Sequence, residues 1–251
     1  MGTKFILHVL AVSILPLLSI SCGKVEEEEG PEKVVIPEAV DLGLSVKWAS
    51  FDVGAAKPGQ VGYYVAWGET APKDTYYKWS EYAWCTGSDR SLTKYNYKAD
   101  YGSVLDYRIA LKQDDDIAHV LFGGEWRTPT PDEMKELIDC PFLTQSVENV
   151  DGVDCLRLTS AKTGNSILFP AAGLCDGTIV PRGRNYAGYY WSSTIDYSPY
   201  LFQAASINPS VANFMMVSPE VKTAGFSSMY MSTWPRAHGL NVRAVYGAEK
   251  Q

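Results

Sequence analysis

Three features of the chain predict an α+β, loop-rich fold. Apolar alternation occurs both before and after a stretch with helical signals, so strands, two helices and further strands follow one another. The later strand-like runs are short and punctuated at Gly164, Gly173, Gly177, Gly188 and Gly239. The 251 residues include 16 Tyr, 7 Trp and 21 Gly, which suits an aromatic core with many turns better than a helical bundle.

The elements follow in chain order. Residues 40–53 (VDLGLSVKWASFDV) alternate around Leu42, Leu44, Val46 and Trp48, the pattern of a half-buried strand. Residues 54–62 read as a turn region with Pro58 and Gly59, and residues 63–67 (YYVAW) as a second strand closed by Gly68. Residues 73–101 are polar and aromatic without either period, so long ordered loops are expected there. Residues 114–122 (DDDIAHVLF) open with carboxylates, which favour the positive end of a helix, and Gly123-Gly124 stops the run. Its expected apolar stripe is Ile117, Val120 and Leu121. In the second helix Thr130 is the N-cap, Pro131 occupies the first helical position and Glu133 completes a capping box. Met134, Leu137 and Ile138 are its inward positions. Strands are then expected over 155–159, 166–170, 189–193 and 240–245.

The first residues read as a targeting segment. Lys4 supplies a positive start and residues 5–18 (FILHVLAVSILPLL) an apolar run too short and too interrupted to span a bilayer, for which roughly 20 residues are needed. Ser19 and Ser21 precede Cys22, the arrangement of lipoprotein processing, in which the Cys22 thiol receives the lipid. The expected organisation is a signal peptide over 1–21, an acidic tether over 22–38 and one domain over 39–251. Glu26 to Glu29 repel one another and bury nothing, so the tether stays solvated. Lys24 followed by that acidic run resembles the export signal of Bacteroidetes lipoproteins, which implies the outer face of the outer membrane. Losing Lys4 takes the formal charge from −7 to −8, which argues against nucleic acid or anionic lipid as a partner. The membrane contact expected is through the N-terminal lipid.

Chemistry-bearing patterns are sparse. Cys85, Cys140, Cys155 and Cys175 allow two disulfides in any of three pairings, or free buried thiols, and no CxxC or zinc spacing occurs. Asp115 and His119 stand four apart on the expected first helix, but an N-terminal carboxylate and an ordinary helix-face His account for them, so no metal is assigned. The Asp114 to Asp116 run lacks a calcium-loop pattern, and there is no GxSxG elbow or phosphate loop. Neither catalysis nor a cofactor is expected. Arg243, opposite Leu240, Val242 and Ala244 in alternation, is expected to pair with a carboxylate and fix the fold, and Trp126-Arg127 to lock the connection between the helices.

VDLGLSVKWASFDVGA, YYVAWGE, LTKYN, DDDIAHVLFGGEWRTPTPDEMKEL, LFPAAG, GYYWSST and GLNVRAV occur in that order. Together, over about residues 40–246, they resemble the Fibrobacter succinogenes major paralogous domain family. The resemblance implies a C-type-lectin-like domain with two helices and short, mostly antiparallel strands. It also implies a relation to formylglycine-generating enzymes, although Cys140, Cys155 and Cys175 sit in core-like segments with nothing to activate a thiol. In lectin-like folds the stretch after YYWSS commonly forms the binding surface. Here residues 196–234 carry only Asp196, Glu220 and Lys222 as charges and are rich in Tyr, Phe, Met, Ser and Asn. Phe202, Phe214, Met215 and Met216 are expected in the core, while Tyr197, Tyr200, Tyr230 and Trp234, beside Ser, Pro or Thr, are the candidate ligand-binding rings. The expected function is a surface lipoprotein whose domain binds a glycan or a protein. The alternatives are an accessory subunit of a pilus or polysaccharide-capture assembly and, third, an oxidase like the formylglycine-generating enzymes.

Overall fold

The computed structural model describes residues 34–196, 208–219 and 228–248. Among them, ten strands and two α-helices occur, and every strand pair is antiparallel. The α+β, loop-rich class expected from the pattern is the observed one. Strands β1 (Ala39–Val40), β2 (Lys47–Ala49), β3 (Trp126–Arg127) and β10 (Val245–Tyr246) form one sheet in the order β1-β2-β10-β3. A second sheet joins β4 (Leu143–Val150), β5 (Val153–Ser160) and β6 (Ser166–Pro170), and a third joins β7 (Gly188–Ile195), β8 (Val211–Val217) and β9 (Met229–Pro235). No helix among the described residues is long and apolar enough to cross a membrane.

The second helix forms as its caps dictate. α2 spans Pro131–Asp139, with the Thr130 hydroxyl accepting from the Glu133 amide and the Glu133 carboxylate accepting from the Thr130 amide. Met134 and Leu137 are buried, and Ile138 packs beside them. Arg127 donates through both terminal nitrogens to Glu133, tying β3 to α2 as expected of the Trp126-Arg127 connection. The first helix is shorter than expected. Gln113–Asp115 make a 3-10 turn, Asp116 caps, and α1 covers Ile117–Phe122 before Gly123. Its inward face is Ile117, Ala118 and Phe122. Val120 is 48% exposed, because the face that packs on the core is centred on Ile117, Ala118, Leu121 and Phe122 and Val120 lies outside it.

Three strand expectations and one expected connection are corrected. Residues 40–53 are not one strand: the Asp41 carboxylate accepts from the Gly43 amide and Gly43 takes a positive φ of 76°, so the chain turns and β1 pairs with β2. Residues 63–67 make only one bridge, Val65 to Leu240. Residues 240–245 do not form one strand either. Leu240 bonds Val65, Asn241 bonds Tyr189, and the Val242 and Ala244 carbonyls accept from Val53 and Ala49, so successive residues serve different neighbours. The stretch over 196–234 is not one long connection, since β8 and β9 lie within it. β8 reads as a continuous apolar run because both of its faces are covered. Ala212, Phe214 and Met216 join a core with Trp67, Trp126 and Trp191, while Met215 and Val217 join another with Trp48, Met134 and Phe169.

Candidate functional site

Period-two alternation divides β7–β9 into two sets of side chains. The register places Tyr189, Met216 and Tyr230 in one row across the sheet, and Trp191, Phe214 and Ser232 in the next. Tyr190 points to the opposite side, where its hydroxyl donates to the Pro170 carbonyl and its ring meets Phe169 at 5.1 Å. On the Tyr189 side the rings are continuous. Tyr189 lies 5.7 Å from Phe214, Phe214 6.2 Å from Trp234, and Trp234 6.0 Å from His238. Phe214 is buried, Tyr189 and Trp234 are half-buried above it, and Tyr230 is 45% exposed. Ser232 is exposed between Tyr230 and Trp234 along β9.

A hairpin from 173 to 186 lies beside the start of β7. Gly173 bridges Gly188, and Leu174 bridges Arg182. Gly173 has a φ of 77°, and a Cβ there would fall 2.3 Å from the Arg182 carbonyl oxygen, so only glycine fits this approach. The hairpin carries Tyr186, 58% exposed, and a three-member polar chain. Asp176 accepts from Arg182 Nη2 at 2.5 Å through one oxygen and meets His238 Nε2 at 3.1 Å through the other. Burial pushes the Tyr189 hydroxyl's pKa up, the neighbouring Tyr230 and Tyr186 hydroxyls push the same way, and the Arg182 guanidinium opposes them. Burial holds His238 below its ordinary pKa, against the pull of Asp176 and with that of Arg182, so the ring is neutral at neutral pH. Trp234 Nε1 and His238 Nδ1 are buried without a hydrogen-bond partner in the protein.

The structure therefore places two of the four candidate rings, and both lie on a strand rather than in a loop. Tyr230 presents an open face. Trp234 presents only part of its ring, since Phe214 and His238 flank it. Tyr197, Tyr200 and Cys22 lie outside the described residues, as do Phe202 and the signal segment. Phe214, Met215 and Met216 are buried, as expected. Sequence reasoning missed Tyr186, Tyr189, Arg182, Asp176 and His238. For Tyr189 a signal existed: in GYYWSST strict alternation sends one tyrosine of the pair to each side. No local pattern joins Asp176 to His238.

Other chemistry-bearing residues do not converge. Asp115 bonds the Tyr95 hydroxyl and pairs with Lys94 at 2.5 Å, whereas His119 Nδ1 meets the Trp126 carbonyl at 3.2 Å. Among the described residues no group of three His, Cys, Asp or Glu side chains can hold a metal ion. Cys85, Cys140, Cys155 and Cys175 are free thiols rather than disulfide partners. Burial pushes Cys155 up to about 11 and Cys175 up to about 12, so both stay protonated and unreactive at neutral pH. A cleft of about 330 Å³ runs past Gln113, His119, Glu125 and Gly247, and one of about 460 Å³ past Glu69, Lys73, Trp84 and Asp114. In the second, Glu69 is paired with Lys73 at 2.6 Å and accepts from the Ala83 amide. No family model, no curated protein and no solved structure matches the chain.

Proposed function

We propose that the protein is a ligand-binding module, lectin-like in fold and related to the Fibrobacter succinogenes major paralogous domain family. We place it on the outer membrane, anchored by lipid on Cys22 and displayed at the cell surface. It performs no reaction of its own, and its binding face is the Tyr189 side of β7–β9. The observation that carries this reading is the continuous row Tyr189, Phe214, Trp234 and His238, flanked by the exposed rings of Tyr186 and Tyr230. Exposed rings on a strand surface contribute little to folding, whereas they offer large contact area at low entropy cost. Sugar C–H faces stack on such rings, and Ser232 and the phenol hydroxyls can bond sugar hydroxyls.

The test is a glycan array probed with the full chain, followed by Tyr230→Ala and Tyr186→Ala on whatever it retains. Each substitution should weaken binding by about 2 kcal/mol, roughly thirtyfold, with the melting temperature unchanged. Full affinity in both variants would remove this face from consideration.

The anchor is tested separately. An apolar run with small residues before a lone cysteine supports lipid attachment, and multiple acyl chains hold a protein on a membrane stably. Cys22→Ala is expected to abolish acyl labelling and membrane association. A variant that still sediments with membranes would exclude Cys22 as the anchor.

A further inference from the structure

The proposed face holds a guanidinium whose orientation is fixed from behind. Exposure falls inward along the chain that holds it, from 60% for the Arg182 side chain through 33% for Asp176 to 16% for His238. Both Asp176 oxygens are occupied, one by His238 and one by Arg182, so the carboxylate cannot turn away. An exposed ion pair adds little to stability. What this one does is hold the planar guanidinium by one terminal nitrogen, on a side chain that is 60% exposed. The Leu174 to Arg182 and Gly173 to Gly188 bridges set that guanidinium at the start of β7, beside Tyr189.

We propose that Arg182 recognises a carboxylate, and that the ligand is a glycan containing uronic acid residues. This rests on reading the Tyr189 side of β7–β9 as the binding face. A guanidinium offers parallel N–H donors that match the two oxygens of a carboxylate, and bonds between charged partners are about twice as strong as neutral ones. The adjacent phenol hydroxyls of Tyr186, Tyr189 and Tyr230 can donate to sugar oxygens. Their rings match the flat C–H face of a pyranose, which an acidic peptide lacks. A neutral sugar would use the rings and leave the guanidinium with Asp176 alone. The chain as a whole carries a formal charge of −7, so attraction of a polyanion has to come from cations at particular places on its surface.

The experiment titrates the full chain with polygalacturonate, alginate, fully methyl-esterified polygalacturonate and poly-L-glutamate at low and physiological salt. Polygalacturonate or alginate should bind, and esterification should weaken binding at least about tenfold, the loss of one charge-assisted hydrogen bond. Arg182→Gln should bring polygalacturonate down to the level of its ester, leave the ester unaffected and keep the melting temperature. Arg182→Lys should fall between, having the charge without the planar donors. Binding to neither uronate polymer overturns the proposal, as does equal binding of acid and ester, or tighter binding of poly-L-glutamate. The two readings fail differently. Binding that depends on Tyr230 but ignores Arg182→Gln removes the carboxylate and keeps the face. Uronate binding that ignores Tyr230→Ala and Tyr186→Ala but needs Arg182 removes the aromatic face.

Discussion

Arg243→Met and Asp52→Asn are each expected to destabilise the protein by about 3–5 kcal/mol in denaturant melts. Both side chains are completely buried. Arg243 meets one oxygen of Asp52 through Nε at 2.8 Å and Nη2 at 2.6 Å, and donates to the carbonyls of Ala49 and Leu168. Its guanidinium also lies 4.5 Å from the Phe169 ring centre. Removing either partner leaves the other as an uncompensated charge in the core. The second Asp52 oxygen has no partner, so the carboxylate is only half satisfied, and burial raises its pKa against the opposing Arg243. The double variant Asp52→Asn with Arg243→Met should therefore lose clearly less than the sum of the two single losses. Additive losses, or single variants within about 1 kcal/mol of the parent, would contradict this account.

Arg236→Ala is expected to cost on the order of 4 kcal/mol, since it strips several buried carbonyls of a charged donor and opens a cavity. Arg236 is fully buried without a carboxylate partner among the described residues. Its donors reach the Tyr82 hydroxyl at 3.0 Å, the carbonyls of Tyr95 at 3.0 Å and Pro209 at 2.7 Å, and that of Lys94 at 3.1 Å. The rings of Trp67, Tyr82 and Tyr95 surround it at 5.0 to 5.8 Å. These partners include the loop residues 82, 94 and 95, so one side chain pins the aromatic loops of 73–101 to the end of β9. Limited proteolysis should accordingly open residues 73–101 first in Arg236→Ala. Arg236→Lys should recover only part of the loss, because an ammonium cannot serve four acceptors in a planar fork. Unchanged cleavage within 73–101 would mean that the loops are held by other contacts.

The contrast between α2 and the sheets shows what the sequence could reveal. Thr130, Pro131 and Glu133 act within one turn, so the helix start was readable directly from TPTPDE. The pairing of Arg243 was foreseeable because an arginine among alternating apolar residues needs a counter-charge, but its partner, Asp52, is 191 positions away. β4 escaped because LTQSVENV is an edge strand, exposed along most of its length, and has no apolar period to read. β9 escaped for another reason. Its outward positions alternate rings with Ser232, which resembles loop composition, while its inward positions are Met229 and Met231. Half of the candidate site was therefore visible as exposed aromatic character near Tyr230 and Trp234. The other half, Arg182 with Asp176 and His238, depends on a hairpin meeting a distant segment, and no local spacing encodes that.

The place of β10 in the first sheet bears on how the protein comes into being. β10 inserts between β2 and β3, pairing Val245 with both Trp48 and Arg127. The segment just before it supplies Asn241 to the carbonyls of Gly62 and Tyr63 and Arg243 to Asp52. These contacts join positions 178 to 191 residues apart. Without β10 and that segment, Trp48 keeps only β1 as a strand neighbour and Asp52 has no counter-charge. Closing so large a loop also makes folding slow, since its entropy is lost before the distant contacts repay it. The first sheet therefore closes late in folding, after the more local pairings of β4–β6 and β7–β9.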